Sequence, residues 1–237
     1  MTAPRRIAIV PAHNEEGAVG GVIAELRAFD PSLDVVVVDD GSHDRTAQVA
    51  AAAGAFVVRL PFNLGIGAAV QTGFKFALAG RYDEAVRLDG DGQHDPRELP
   101  KLIGPLERGE ADIVVGSRFA RGADEHRPAL ARRIGIVFFA RLVSLLTRQR
   151  VTDTTSGFQA LNAKGIAIFA ADYPHDYPEV EATVMVHKHR LRLLEVPVRM
   201  REREHGVSSI TAVRSVYYMC KVTLALFVSM ARRYATP

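Results

Sequence analysis

Asp89 and Asp91 stand two residues apart in VRLDGDGQHDP (86–96), with Gly90 between them and Gln93 and His94 just beyond. In an extended segment, side chains at that spacing face the same way, so both carboxylates can turn towards one point. Alone they repel, and one would tend to keep a proton. A divalent cation removes the conflict. Mg²⁺ or Mn²⁺ takes a few carboxylate oxygens and completes its shell with water and phosphate oxygens. Gln93 or His94 could add a ligand, and the glutamine oxygen suits Mg²⁺ better than an imidazole nitrogen. The glycines let a bulky ligand approach the backbone. An isolated Asp-x-Asp arises often by chance. This one closes an apolar run, level with Glu15 and Asp40 after earlier runs.

The elements that must hold these acids are short, β-branched and apolar: IAIVP (7–11), DVVVVDD (34–40), AFVVRL (55–60), EAVRLDGD (84–91) and ADIVVGS (111–117). Helix-like stretches at 16–29, 44–53, 66–79 and 97–108 separate them. Apolar strands alternating with helices predict an α/β fold, a mostly parallel sheet covered on both faces. Ligands in such sheets bind beyond the carboxyl ends of the strands. His13, Asn14 and Glu15 follow the first strand, Asp39 and Asp40 the second, Asp89 and Asp91 the fourth. Asp40 reads equally well as a helix cap, with Ser42 and Asp44 as further capping candidates.

Beyond Phe119 the pattern changes. An arginine-rich loop (120–133) leads into an amphipathic helix (134–147), a polar loop (151–159), a short strand and helix, a further strand (191–200) and a basic segment (201–210). The tail, 211–235, reads as an apolar helix whose longest uncharged run, 222–231, is too short to span a bilayer. Packing on the domain or on another subunit is one reading of it, and lying in a membrane interface is the other.

Composition narrows the function. The 237 residues are 48% apolar and 24% charged, with a net charge of +3, as in an ordinary soluble globular protein, and the bases form no single run through the first half that would point to nucleic acid. Cys220 is the only cysteine, which excludes a disulfide framework and a thiolate zinc site. The opening MTAPRRIAIV lacks a signal peptide's apolar region and cleavage pattern, so a cytoplasmic setting is expected. Gly65-x-Gly67 fails as a dinucleotide fingerprint, because Val70 stands where a third glycine is needed and no strand runs into it. A Walker lysine motif and a Gly-x-Ser-x-Gly elbow are both missing.

PAHNEE (11–16), VVDDGSHDRT (37–46), NLGIGAAVQTGF (63–74), DGDGQHDP (89–96), GSRF (116–119) and TSGFQ (155–159) together resemble the family 2 glycosyltransferases of GT-A fold. Their order and spacing are most similar to those of the dolichol-phosphate mannose synthase-like, polyprenyl-phosphate sugar transferases. The resemblance implies a catalytic domain over 1–210, with a nucleotide-sugar half (1–118) and an acceptor half (119–210), followed by an amphipathic helix (211–237). By the same resemblance Pro11, His13, Glu15, Val38 and Asp40 hold the base and ribose of a sugar nucleotide of the GDP-mannose or UDP-glucose type. Asp89 and Gly90 would meet the nucleotide. Asp89, Asp91 and Gln93 would ligate Mg²⁺ or Mn²⁺, and Arg118, Arg133 and Arg203 would lie near phosphates.

The chain departs from its relatives in having His13 where many carry Tyr. It also reads Gly206-Val207-Ser208-Ser209 where a Gly-x-Ser-Lys is common. Asp153 stands near the place where hydroxyl-transferring relatives keep a base. The implied activity is inverting, metal-dependent hexose transfer to a polyprenyl phosphate. It would occur at the inner face of the cell membrane, with peripheral contact or self-association through the C-terminal helix. The alternatives are transfer to a soluble hydroxyl and a non-catalytic nucleotide-sugar-binding partner.

Overall fold

A strand such as DVVVVD has no polar face to give to water, so both of its faces must be covered. In the computed structural model, which describes residues 4–120, 130–175, 178–201 and 212–231, Val35 to Val38 are all buried. The strands are β1 (Arg6–Ala12), β2 (Asp34–Asp39), β3 (Phe56–Arg59), β4 (Glu84–Arg87), β5 (Ile113–Ser117), β6 (Gln159–Asn162) and β7 (Leu193–Pro197). The helices are α1 (Val19–Phe29), α2 (Thr46–Ala52), α3 (Ile66–Ala79), α4 (Leu99–Glu107), α5 (Leu130–Thr147), α6 (Ala163–Ala171), α7 (Pro178–Lys188) and α8 (Ala212–Ala231). One sheet runs through all the strands in the order β3-β2-β1-β4-β6-β5-β7. Only β6 is antiparallel to its neighbours, β4 and β5.

Alternate residues of each strand feed two cores. Val35 and Val37 pack with Ile23 and Leu26 of α1 and Leu99 and Leu102 of α4. Val36 faces the other way, towards Phe74 of α3, Phe169 of α6 and Met185 of α7. A third cluster joins α5, α7 and α8 through Phe139, Val184 and Leu226. The Lys188 ammonium donates to the carbonyls of Ser229 and Met230, which satisfies part of the C-terminal end of α8.

The β and α runs expected from the sequence are present, with altered ends. β4 stops at Arg87 rather than reaching Asp91: after Leu88 donates to the Ile9 carbonyl, the chain turns away, and Gly92 takes φ 77°. The two aspartates therefore sit in a turn, not in an extended segment. α5 begins at Leu130, inside the stretch expected to be a loop, and the last strand is trimmed to Leu193–Pro197. Helix α7 was not expected at all. Its apolar positions, such as Val180, Val184 and Val186, are β-branched and read more like strand than helix. Gly67, rejected as a phosphate-loop glycine, has a packing role instead. A Cβ there would lie 2.3 Å from the Pro174 carbonyl oxygen, so glycine lets α3 meet the chain that leaves α6.

Candidate active site

Moving outward from β1, the chain passes to β2 on one side and β4 on the other, so the loops after these strands part and leave a crevice. The crevice is a cleft of about 480 Å³, within the range of ~300–1,000 Å³ usual for small-molecule sites. Pro11, His13, Glu15, Asp40, Asp89, Gly90 and Asp91, all proposed from the sequence, line it. Val38 does not; its side chain, near the carboxyl end of β2, is wholly buried. Gln93, Arg118 and Asp153 are not among the lining residues either. The side chain of Arg133 and the whole of Arg203 fall outside the described residues, as does the Gly206–Ser209 stretch.

One end of the cleft is knitted from the exits of β1 and β2. The His13 Nδ1 lies 2.8 Å from the Asp40 carbonyl, to which it donates, and its Nε2 lies 3.1 Å from the Asn14 amide nitrogen, so the ring is held at both edges. Asn14 holds φ 56° and receives the His43 N–H on its side-chain oxygen at 2.9 Å. Asp40 is not a cap: its carboxylate accepts the backbone N–H groups of Leu64 at 2.7 Å and Gly65 at 2.9 Å, drawing the start of α3 to the mouth of the cleft. Asp44 supports the start of α2, accepting from the Thr46 N–H at 2.9 Å and from the Glu16 N–H at 3.2 Å.

At the exit of β4, Asp91 accepts the Gln93 N–H at 3.1 Å and so shapes its own turn. His94 lies under that turn, stacked on Phe158 with ring centres 4.8 Å apart. Its Nδ1 accepts the Asp89 N–H at 3.0 Å, and burial lowers its pKa, so it stays neutral. The imidazole thus supports the backbone of the acidic turn, and its Nε2 lies 3.8 Å from Asp89 Oδ2. Among the described residues no group of three or more His, Cys, Asp or Glu side chains could hold a metal by itself. Two carboxylates with hard oxygen donors fit Mg²⁺ or Mn²⁺, which take one or two protein carboxylates and the remainder from phosphate and water.

The floor holds residues that the sequence reading missed. Arg87, fully buried, donates to Glu179 of α7 at 2.7 Å and to the Tyr173 hydroxyl at 3.2 Å, and lies 3.7 Å from Asp89. Burial works against its charge, but Tyr173, Glu179 and Asp89 outweigh that and hold the guanidinium protonated above its ordinary pKa. Gly157 of the TSGFQ segment presses on this group: a Cβ there would fall 2.9 Å from Asp89 Oδ1 and 3.1 Å from Arg87 Nη2.

Arg118 and Asp153 form a pair of their own beside the cleft. Arg118 binds Asp153 through two N–H donors at 2.8 and 3.0 Å and reaches the Thr155 hydroxyl at 2.6 Å. Burial pushes the Asp153 carboxyl up, yet Arg118 overcomes this and holds it below the usual carboxylate range. Glu195, whose own carboxyl is pushed up by burial, accepts the N–H groups of Thr152 and Asp153 at 2.8–2.9 Å. The 151–157 loop is thereby fixed to β5 and β7.

A sheet with a switch-point cleft and an acidic turn after its fourth strand is a fold of GT-A type. Glucosyl-3-phosphoglycerate synthase from Mycobacterium tuberculosis, solved with Mn²⁺ and UDP, superposes with a TM-score of 0.72 over 96% of this chain and 80% of its own, at 22% identity. The chain belongs to glycosyl transferase family 2, whose model matches residues 7–168, and it is a glycosyltransferase. It is 34% identical to the dolichyl-phosphate hexose transferase of Haloferax volcanii over 203 residues, 82% of each chain. It is 30% identical to the undecaprenyl-phosphate mannosyltransferase of Micrococcus luteus over 215 residues, 87% of this chain and 88% of that one.

Overpacking against the Asp89–Arg87 group should cost roughly 1–3 kcal/mol in Gly157→Ala, measured by urea unfolding, and should weaken nucleotide binding. Gly21→Ala on α1, where nothing lies within 4 Å, should move stability the other way. The expected gain there is up to about 1 kcal/mol.

Proposed function

We propose that this chain moves a hexose from a nucleoside-diphosphate sugar to a polyprenyl phosphate, in a single metal-dependent displacement that inverts the anomeric carbon. The names of the relatives support this acceptor class. The observation that carries it is the state of Asp153. A hydroxyl acceptor needs a general base, because its proton is held tightly at neutral pH. Asp153, which the resemblance places near the position of such a base, is buried, has both oxygens on Arg118, and is pulled below the ordinary carboxylate range. A phosphate acceptor needs no base, since its second pKa of about 6 leaves it largely ionised at neutral pH.

In this reading the β1 and β2 exits receive the nucleoside, with His13 offering a fixed ring edge and face. Asp89 and Asp91 hold the divalent ion. When bound, that ion acts as a Lewis acid on the departing diphosphate. The acceptor phosphate oxygen forms a bond to the anomeric carbon as the bond from that carbon to the diphosphate oxygen breaks, and the electron pair leaves with the nucleoside diphosphate. Arg118 and Asp153 hold the acceptor loop in shape.

A polyprenyl chain is delivered from a membrane, and α5 and α8 supply a surface for it. Neither helix contains an acidic residue. Leu224, Phe227 and Val228 of α8 are 65%, 53% and 59% exposed, and Leu145 of α5 is 76% exposed. No helix among the described residues is long and apolar enough to cross a bilayer, so the contact would be peripheral.

Two experiments test these points. A catalytic base contributes about 10²–10⁴-fold, so Asp153→Asn, assayed with a polyprenyl phosphate well below its unfolding temperature, should lose far less than that, and far less than Asp91→Ala. A loss as complete as that of Asp91→Ala would overturn the base-free reading. The protein should also sediment with anionic liposomes at low salt and be released at high salt, with Leu224→Glu/Phe227→Glu remaining in the supernatant. Wild-type protein that stays in the supernatant at low salt would make these faces a protein interface.

A further inference from the structure

We infer that Glu179, positioned by Arg87, reads the hydroxyl groups of the transferred sugar. The inference rests on the transferase reading and deepens it. Arg87 ends β4 one residue after Val86. Val86 faces the core under α1 and α4, so Arg87 faces the opposite core, beneath α7. An ionised guanidinium is costly there, and its Nε is buried without a hydrogen-bond partner among the described residues. A site needing only filled volume would be served as well by an apolar side chain. What the charge achieves is visible in its contacts: one nitrogen, Nη2, lies 2.7 Å from Glu179 Oε1 and 3.7 Å from Asp89 Oδ1. The wall of the acceptor half is thereby fixed beside the acidic turn of the nucleotide half.

Glu179 lines the cleft, and its side chain is 22% exposed. It lies in the first turn of α7, where a negative charge is favoured. A carboxylate that shares no cation with a diphosphate repels it, and the ligand that suits Glu179 directly is a neutral group that donates hydrogen bonds. With the nucleoside at the His13 and Asp40 end and the diphosphate at Asp89 and Asp91, the group attached to the outer phosphate falls beside Asp89, next to Glu179. In a sugar nucleotide that group is the hexose, and its hydroxyls are the donors a carboxylate takes in short, strong hydrogen bonds. Arg87, donating to Glu179 Oε1 at 2.7 Å, keeps the orientation of the carboxylate fixed. Glu179 is therefore a specificity-determining contact, and Arg87 a positioning residue.

The test is calorimetric titration in the presence of Mn²⁺. Wild type, Glu179→Gln and Glu179→Asp are each titrated with GDP, GDP-mannose, UDP and UDP-glucose. Losing a charged acceptor should weaken binding of the sugar nucleotide by roughly tenfold or more in Glu179→Gln, while the matching bare diphosphate binds within about twofold of wild type. Glu179→Asp, which keeps the charge and the ion pair, is expected to fall between the two and serves as the readout if Glu179→Gln does not fold. Equal losses for sugar nucleotide and bare diphosphate would mean a structural role and overturn the inference, as would no loss for either. Wild type that binds none of the four ligands would overturn the transferase reading itself, and this assignment with it.

Discussion

Arg87 carries a full charge at the end of a strand whose other side chains are buried, and the cleft is organised around that charge. Like charges do not gather by themselves, and the acidic turn after β4 would spread apart without a counterweight. The guanidinium supplies one from beneath, at 2.7 Å from Glu179 and 3.7 Å from Asp89. Gly157 closes over the group, and His94 supports the turn from the other side by accepting the Asp89 N–H. Removing one partner of such a buried pair costs about 3–5 kcal/mol, whereas a matched apolar replacement costs little. Its presence here is therefore better explained by the site than by stability.

The sheet topology makes this placement possible. With β1 flanked by β2 and β4, two sets of loops leave the same rim in different directions. Antiparallel β6 then returns the chain beside β4, and the segment entering it carries Gly157 onto Asp89. Asp40, drawn to the N–H groups of Leu64 and Gly65, closes the opposite end. The cleft is assembled by contacts between segments far apart in sequence, each made by a buried or half-buried polar group. Arg118–Asp153 and Glu195 do the same for the 151–157 loop.

This division between local and distant contacts decides what could be read from the sequence. Valine-rich runs that end in Asp, Gly or Ser reveal a parallel sheet, because period and composition are local properties. The acids after β1, β2 and β4 follow from the rule that parallel sheets bind ligands at their carboxyl ends. Arg87 was hidden by its neighbours: within EAVRL it reads as one polar residue in a strand, and only α7, 92 positions away, explains it. Helix α7 itself was missed because its valines favour strand and its burial comes from tertiary packing. Val38 was carried over from its motif, although its side chain, one residue short of the end of β2, is wholly buried and does not line the cleft. Asp153 and Arg118, separated by 35 positions, gave no sign in sequence of satisfying each other.

In the proposed mechanism Asp89 and Asp91 would act together as the protein ligands of a divalent ion, with phosphate and water supplying the remainder. Titration of Mn²⁺, followed by electron paramagnetic resonance with and without a nucleoside diphosphate, tests this most directly. Wild type should bind Mn²⁺ weakly alone and much more tightly with the nucleotide, and that gain should vanish in both Asp89→Asn and Asp91→Asn. A nucleotide-dependent gain that survives in either variant, or sugar transfer by wild type that continues undiminished after the metal is stripped by a chelator, would contradict it.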